Sequence, residues 1–150
     1  MTRWLKRIGI GLGCLIGLFL VMQVVPYGRT HDNPRITAEP AWDSPKTREL
    51  AKRACFDCHS NETRWPWYAS VAPMSWVVQR DVEAARETLN FSEWDHPQPL
   101  AEEAGSSIVR QDMPPRKYMA AHPEANLTQD ELEQLARSLN AITGSRANLR

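Results

Sequence analysis

The longest apolar run of the chain lies near its start. From Ile8 to Val25 (IGIGLGCLIGLFLVMQVV) the only polar side chain is Gln23. At 1.5 Å per residue this run covers about 27 Å, close to the hydrocarbon thickness of a bilayer. The pattern predicts one transmembrane helix over about residues 8–25, within an anchor of residues 1–27. Residues 28–43 (GRTHDNPRITAEPAWD) then mix proline, charge and small polar residues without apolar periodicity, and predict an extended linker that lets the folded domain stand off the membrane. Helical patterns come next. Ser44 and Pro45 suit an N-cap and a first helical position, with Leu50, Ala51, Ala54 and Cys55 along one face. Beyond an aromatic, proline-broken stretch from Trp65 to Pro73, the spacing of Trp76, Val77, Val78, Val82, Ala85 and Leu89 predicts a helix over 75–89. Leu100, Ala104, Ile108 and Val109 predict a shorter one over 100–110, ended by Met113-Pro114-Pro115. Thr128-x-x-Glu131 forms a capping box, and Leu132, Leu135, Leu139 and Ile142 behind it mark an amphipathic last helix stopped by Gly144. No strand alternation, hairpin turn or internal repeat is visible. The expected fold is an all-α domain over 44–143, with 144–150 as a tail.

Charge orients the anchor. Arg3, Lys6 and Arg7 precede the apolar run and no Asp or Glu lies in the first 27 residues, so the positive-inside rule places the N-terminus in the cytoplasm and the rest outside. Trp4 and Tyr27 bracket the run as interfacial aromatics. A cleaved signal peptide has a shorter apolar region ending at small residues, whereas this one ends in Val24-Val25-Pro26-Tyr27. The expectation is a single-pass protein of the cytoplasmic (inner) membrane with its folded domain in the periplasm. Gly9, Gly13 and Gly17 recur every fourth residue and would let two such helices pack as a homodimer, a weak signal because glycine is common in membrane helices. Three of the 18 cations lie in the anchor, so residues 28–150 carry 15 against 18 acidic residues, a net of −3. Nucleic acid is therefore not an expected partner.

Cys14 sits in the apolar run, whereas Cys55-Phe56-Asp57-Cys58-His59 places two thiols and an imidazole at the spacing of haem c attachment. In that chemistry each cysteine adds to a haem vinyl group as a thioether, and the following histidine becomes an axial ligand of the iron. Cys55 and Cys58 are the expected tethers of one covalent haem c, and His59 its proximal ligand. A structural zinc site usually needs four N or S ligands, and there is no second cysteine pair. A thioredoxin-like redox pair belongs beside a βαβ pattern that is missing here.

Met74, Met113, Met119, His96 and His122 are candidates for the sixth ligand. Met113 leads, since the proline-stiffened loop Asp112-Met113-Pro114-Pro115 would hold its thioether rigidly, and methionine ligation raises the potential. Met74 and Met119 suit packing against the core or the haem edge, while His96 and His31 are expected to face solvent. Trp65, Trp67 and Tyr68, with Trp76 and Trp94, form a large aromatic set from which walls of a haem pocket can be drawn. Arg64, Arg116 and Lys117 are candidates to pair with haem propionates or to lie on the solvated surface.

With these residues in view, Ser44 to Ile142 resembles the small bacterial haem-binding domain family, related to class I cytochromes c. The resemblance is carried by CFDCHSNETRWPWY (55–68), APMSW (72–76), LNFSEW (89–94), DMPPRKY (112–118) and HPEANLT (122–128). It implies haem c on Cys55 and Cys58, His59 as ligand, and a cytochrome c-like helical fold whose first and last helices pack near the haem. Met113 matches the methionine position of class I cytochromes, although the insertion between His59 and Met113 exceeds that of the smallest members. The expected function is electron transfer with membrane or periplasmic redox proteins, not enzymatic catalysis, after attachment by haem c maturation machinery. Two alternatives stay open: a redox or gas sensor, or peroxidase-like protein, with an open sixth site, and a haem-bearing subunit of a respiratory complex.

Overall fold

The computed structural model describes residues 2–144. Its elements are α1 (Thr2–Met22), α2 (Pro45–Ala54), α3 (Phe56–His59), α4 (Met74–Thr88), α5 (Ala104–Val109), α6 (Arg116–Ala121) and α7 (Gln129–Thr143), with short 3-10 turns at Trp67–Ser70, Ala101–Glu103 and Pro123–Ala125. The fold is all-α, and among the described residues the sole β pairing is an isolated bridge between Ala38 and Glu93. The expected tail, residues 144–150, lies outside the described residues beyond Gly144. Two compact units divide the chain: one takes the residues up to His31 together with Trp65–Asp81, the other Asp32–Arg64 and the chain from Val82 onward. The domain expected over 44–143 thus gives up residues 65–81 and gains 32–43.

In the first unit, α1 contains a 20-residue candidate membrane span, Arg3–Met22, apolar from Ile8 onward and with none of it buried. That is long enough to cross a membrane, and it includes the flanking cations because nothing in them breaks a helix. Just past its end Gln23 donates from Nε2 to the carbonyl of Ala72 at 2.9 Å and accepts at Oε1 from the Ala72 amide at 3.0 Å. Gly28, at φ +78°, lies so close to the Ser75 carbonyl that a Cβ would collide with it. His31, expected to face solvent, instead stacks on Trp65 with ring centroids 4.9 Å apart, its Nε2 3.1 Å from the Ala69 carbonyl.

In the second unit Ser44 caps α2 and Pro45 occupies its first turn, burying Leu50, Ala51 and Ala54. At the other end Thr128 and Glu131 form the capping box of α7, which stops at the left-handed Gly144. The first and last helices of this unit pack together, tied by Ser138 to Asp43 at 2.9 Å and Arg53 to Glu131 at 2.9 Å. A denser contact joins α5 to α7, where Gly105 meets Asn140 and the Ala136 carbonyl with no room for a side chain. Phe56, Phe91, Leu50, Leu135 and Leu139 fill the core, with Phe91 between Trp42 and Trp94 at centroid distances of 5.4 and 6.0 Å.

The expected linker is extended, but from Asp32 on it is fastened down instead of crossing open solvent. Thr37 and Ala38 amides bond to Ser92 O, Trp94 N bonds to Ala38 O, and Trp42 packs on the core. These are backbone bonds, available to a proline- and polar-rich segment as readily as to any other.

Candidate haem site

α2 ends because Cys55 leaves the helical region (φ −126°, ψ −36°), and the chain restarts at once as α3. Amides of Cys58 and His59 both bond to the Cys55 carbonyl, at 3.1 and 2.9 Å, so one tight turn carries the whole motif. Its exposure is divided. Phe56 and Asp57 are buried, whereas Cys55, Cys58 and His59 are all partly exposed. Neither cysteine is in a disulfide. Burial, with a smaller contribution from the neighbouring Cys58, pushes the Cys55 thiol up to about 12, unlike the acidic thiols of disulfide exchangers.

The His59 ring is fixed by its Nδ1, 2.9 Å from the Leu89 carbonyl. A carbonyl can only accept, so this contact puts a proton on Nδ1, as it does in a histidine that ligates through Nε2, and the Ala85 carbonyl also bears on the ring. Burial lowers the imidazole pKa against the opposing backbone bonds and favours the neutral form. The His59 carbonyl accepts from Phe91 N at 2.8 Å, which closes a second link between the motif and residues 89–91. Two partly exposed thiols beside an imidazole protonated on Nδ1 fit a covalently held haem.

Sequence reasoning passed over Asp57, whose carboxylate organises the inner side of the turn. It accepts from the Arg64 amide at 3.1 Å, from Arg64 Nε and NH2 at 3.2 and 3.1 Å, and from the Tyr118 hydroxyl at 2.8 Å. Tyr118 stacks on His122, centroids 4.2 Å apart, and Glu124 lies 3.4 Å from Arg64 and 3.6 Å from His122. Burial, then the bond to Asp57, raises the Tyr118 pKa. Arg64, a candidate for a propionate, is thereby engaged with Asp57, which raises its pKa in turn. The signal for this cluster was an acidic residue inside a CxxCH motif; its partners lie 7 and 61 positions away. Arg86 braces the exit of the turn, donating to Ser60 O and Thr63 Oγ1 at 2.9 Å and to Asn33 Oδ1 at 3.1 Å.

Met113 lies between α5 and α6, its amide 3.3 Å from the Ser107 carbonyl, and is 42% exposed. It lines a cleft of about 180 Å³ with Met119, Ile108, Leu127 and Leu132. Cys55, Cys58 and His59 are not in its lining. The segment of Met113 reaches the motif instead through Tyr118 in the next helix. Of the other candidates, Arg116 lines the same cleft, His96 pairs with Glu93 at 3.2 Å, and Met74 is exposed, not packed. Trp65, Trp67 and Tyr68 belong to the first unit, where Trp67 stands 81% exposed and meets the Tyr68 ring edge-on at 5.9 Å.

An all-helical fold that sets two thiols and an imidazole on one partly exposed turn suits a haem-binding protein. The family model of the haem-binding domain matches residues 17–141, and the chain belongs to that family. No curated protein and no solved structure matches it.

Proposed function

We propose that the chain is a monohaem c-type cytochrome, tethered by α1 to the periplasmic face of the cytoplasmic membrane, that transfers electrons rather than catalysing a reaction. The observation carrying this reading is the CFDCH turn: Cys55, Cys58 and His59 are all partly exposed on one tight turn, and the Leu89 carbonyl fixes the His59 ring through Nδ1. Haem bound there supplies a one-electron iron couple whose potential follows its axial ligands. Cys55 and Cys58 would hold the porphyrin by thioethers, and His59, its ring fixed by the Leu89 carbonyl, would ligate the iron. Met113 is the proposed sixth ligand, on a loop bounded by Pro114 and Pro115. The anchor holds the domain beside membrane and periplasmic redox partners, and attachment on the outer side requires the haem c maturation machinery.

One observation favours a second reading, a haem sensor with an open sixth site: Met113 is substantially exposed and lines a cleft that the CFDCH turn does not share. The optical spectrum of the full chain, matured in a host that attaches haem c and kept in detergent, decides. Electron transfer predicts a covalently bound, low-spin haem with a methionine-to-iron charge-transfer band and no response to carbon monoxide. A high-spin iron that binds carbon monoxide readily transfers the assignment to sensing. His59→Ala is expected to abolish the low-spin spectrum, and a variant with an unchanged spectrum would overturn the whole proposal. Met113→Ala is expected to lower the potential and admit carbon monoxide.

A further inference from the structure

We infer that residues 65–81 form a second membrane contact, a surface that lies among lipid headgroups where the anchor leaves the bilayer. This inference rests on the reading of α1 as a membrane span. The segment is separated by 33 residues of chain from His31, yet it forms one compact unit with the anchor. The uncharged part of α1, Ile8 to Met22, rises about 22 Å, most of the hydrocarbon thickness of a bilayer, so its end at Met22 lies near the membrane boundary. The next residue, Gln23, holds both the amide and the carbonyl of Ala72. That pair of bonds places 65–81 at the level of the boundary, and the close approach of Gly28 to Ser75 holds it there.

The surface suits that position. Trp67 is 81% exposed, and Met74 and Val77, three residues apart and so on one face of α4, are 44% and 42% exposed. Indole rings prefer the headgroup region, where an apolar body and a polar N–H are both accommodated. Between Arg64 and Asp81 the chain contains no carboxylate, and Arg80, one turn beyond Val77, stays well exposed although Asp81 lies 3.8 Å from it. A cation next to apolar side chains matches an anionic headgroup layer, whereas the exported chain as a whole is net acidic.

The test uses the full, haem-loaded chain in a Cys14→Ser background, reconstituted in vesicles of phosphatidylcholine and phosphatidylglycerol. Nitroxide labels are placed at Trp67→Cys, Met74→Cys and Val77→Cys, with Leu18→Cys as the reference label inside the apolar helix, and only variants retaining the parent haem spectrum are measured. Collision with dissolved oxygen is compared with collision with a water-soluble nickel chelate. The expected result is an oxygen-to-nickel ratio at 67, 74 and 77 several-fold above that of a label in water and below that at 18. Water-like ratios would overturn the inference, and so would labels reached by neither reagent, which would put a protein partner on the surface. Carbonate extraction separates the two levels: a chain washed from the vesicles overturns the anchor and this surface together, whereas wet labels on a retained chain overturn this surface alone.

Discussion

Asp57 shows how a residue between two cysteines can serve the fold while its neighbours serve chemistry. Its carboxylate is buried and fully occupied by Arg64 and Tyr118. Hydrogen bonds to a charged, buried acceptor contribute about 2 kcal/mol each, so Asp57→Asn is expected to lower the unfolding free energy by about that amount, read from urea denaturation. Tyr118 adds a pH signature. Its folded pKa is raised, so its stabilisation is complete below the unfolded value of about 10 and is lost as pH rises above it. Stability measured from pH 8 to 11 should therefore fall less steeply in Tyr118→Phe than in the parent. Glu131 is the opposite case. The Thr128 amide, then Arg53, holds its carboxyl down to about 2, so its contribution is present above about 4.5 and lost as pH falls toward 2. Glu131→Gln should flatten the acid limb of the stability curve in that window. At this scale the two cysteines, His59, Ser44 and the Thr128-Glu131 box were legible in the sequence, because attachment and capping depend on spacings of a few residues. Asp57 was not, because its meaning depends on a hydroxyl 61 positions away.

Among the elements, legibility followed periodicity. α2, α4 and α7 repeat apolar side chains at helical spacing, and each occurs within a residue or two of its expected bounds. The helix expected over 100–110 divides into a 3-10 turn and the short α5. α6, with the sequence RKYMAA, buries no residue fully and offered no apolar stripe to read. The fastening of residues 32–43 was equally hidden, since main-chain bonds to Ser92 and Trp94 leave no trace in side-chain pattern. The α5–α7 contact is the most sensitive of these elements. A methyl group at Gly105 would collide with Asn140 and with backbone, so Gly105→Ala is expected to cost about 1–3 kcal/mol, measured as a lowered thermal midpoint. Gly28 should be equally intolerant, being both in the left-handed region and against Ser75.

The whole molecule is a haem protein whose chain passes between two units. The first unit takes the N-terminal helix and residues 65–81, and the second carries the CFDCH turn. That an apolar helix precedes a helical haem domain was plain from hydropathy and the motif. The exchange of 65–81 for 32–43 was not, since it is set by contacts such as Gln23 with Ala72, 49 positions apart. Those contacts bear on how the N-terminal segment is to be regarded. A leader made for disposal can be cut away without disturbing what it delivered, but here excision after Tyr27 would take Gln23 with it and leave the Ala72 amide and carbonyl without their partners. Cutting at an engineered protease site after Tyr27 should therefore speed amide exchange across 65–81 and leave the Leu89–Phe91 amides protected. What Gln23 supplies to residues 65–81 is thus two hydrogen bonds that last only as long as the N-terminal segment stays joined to the chain.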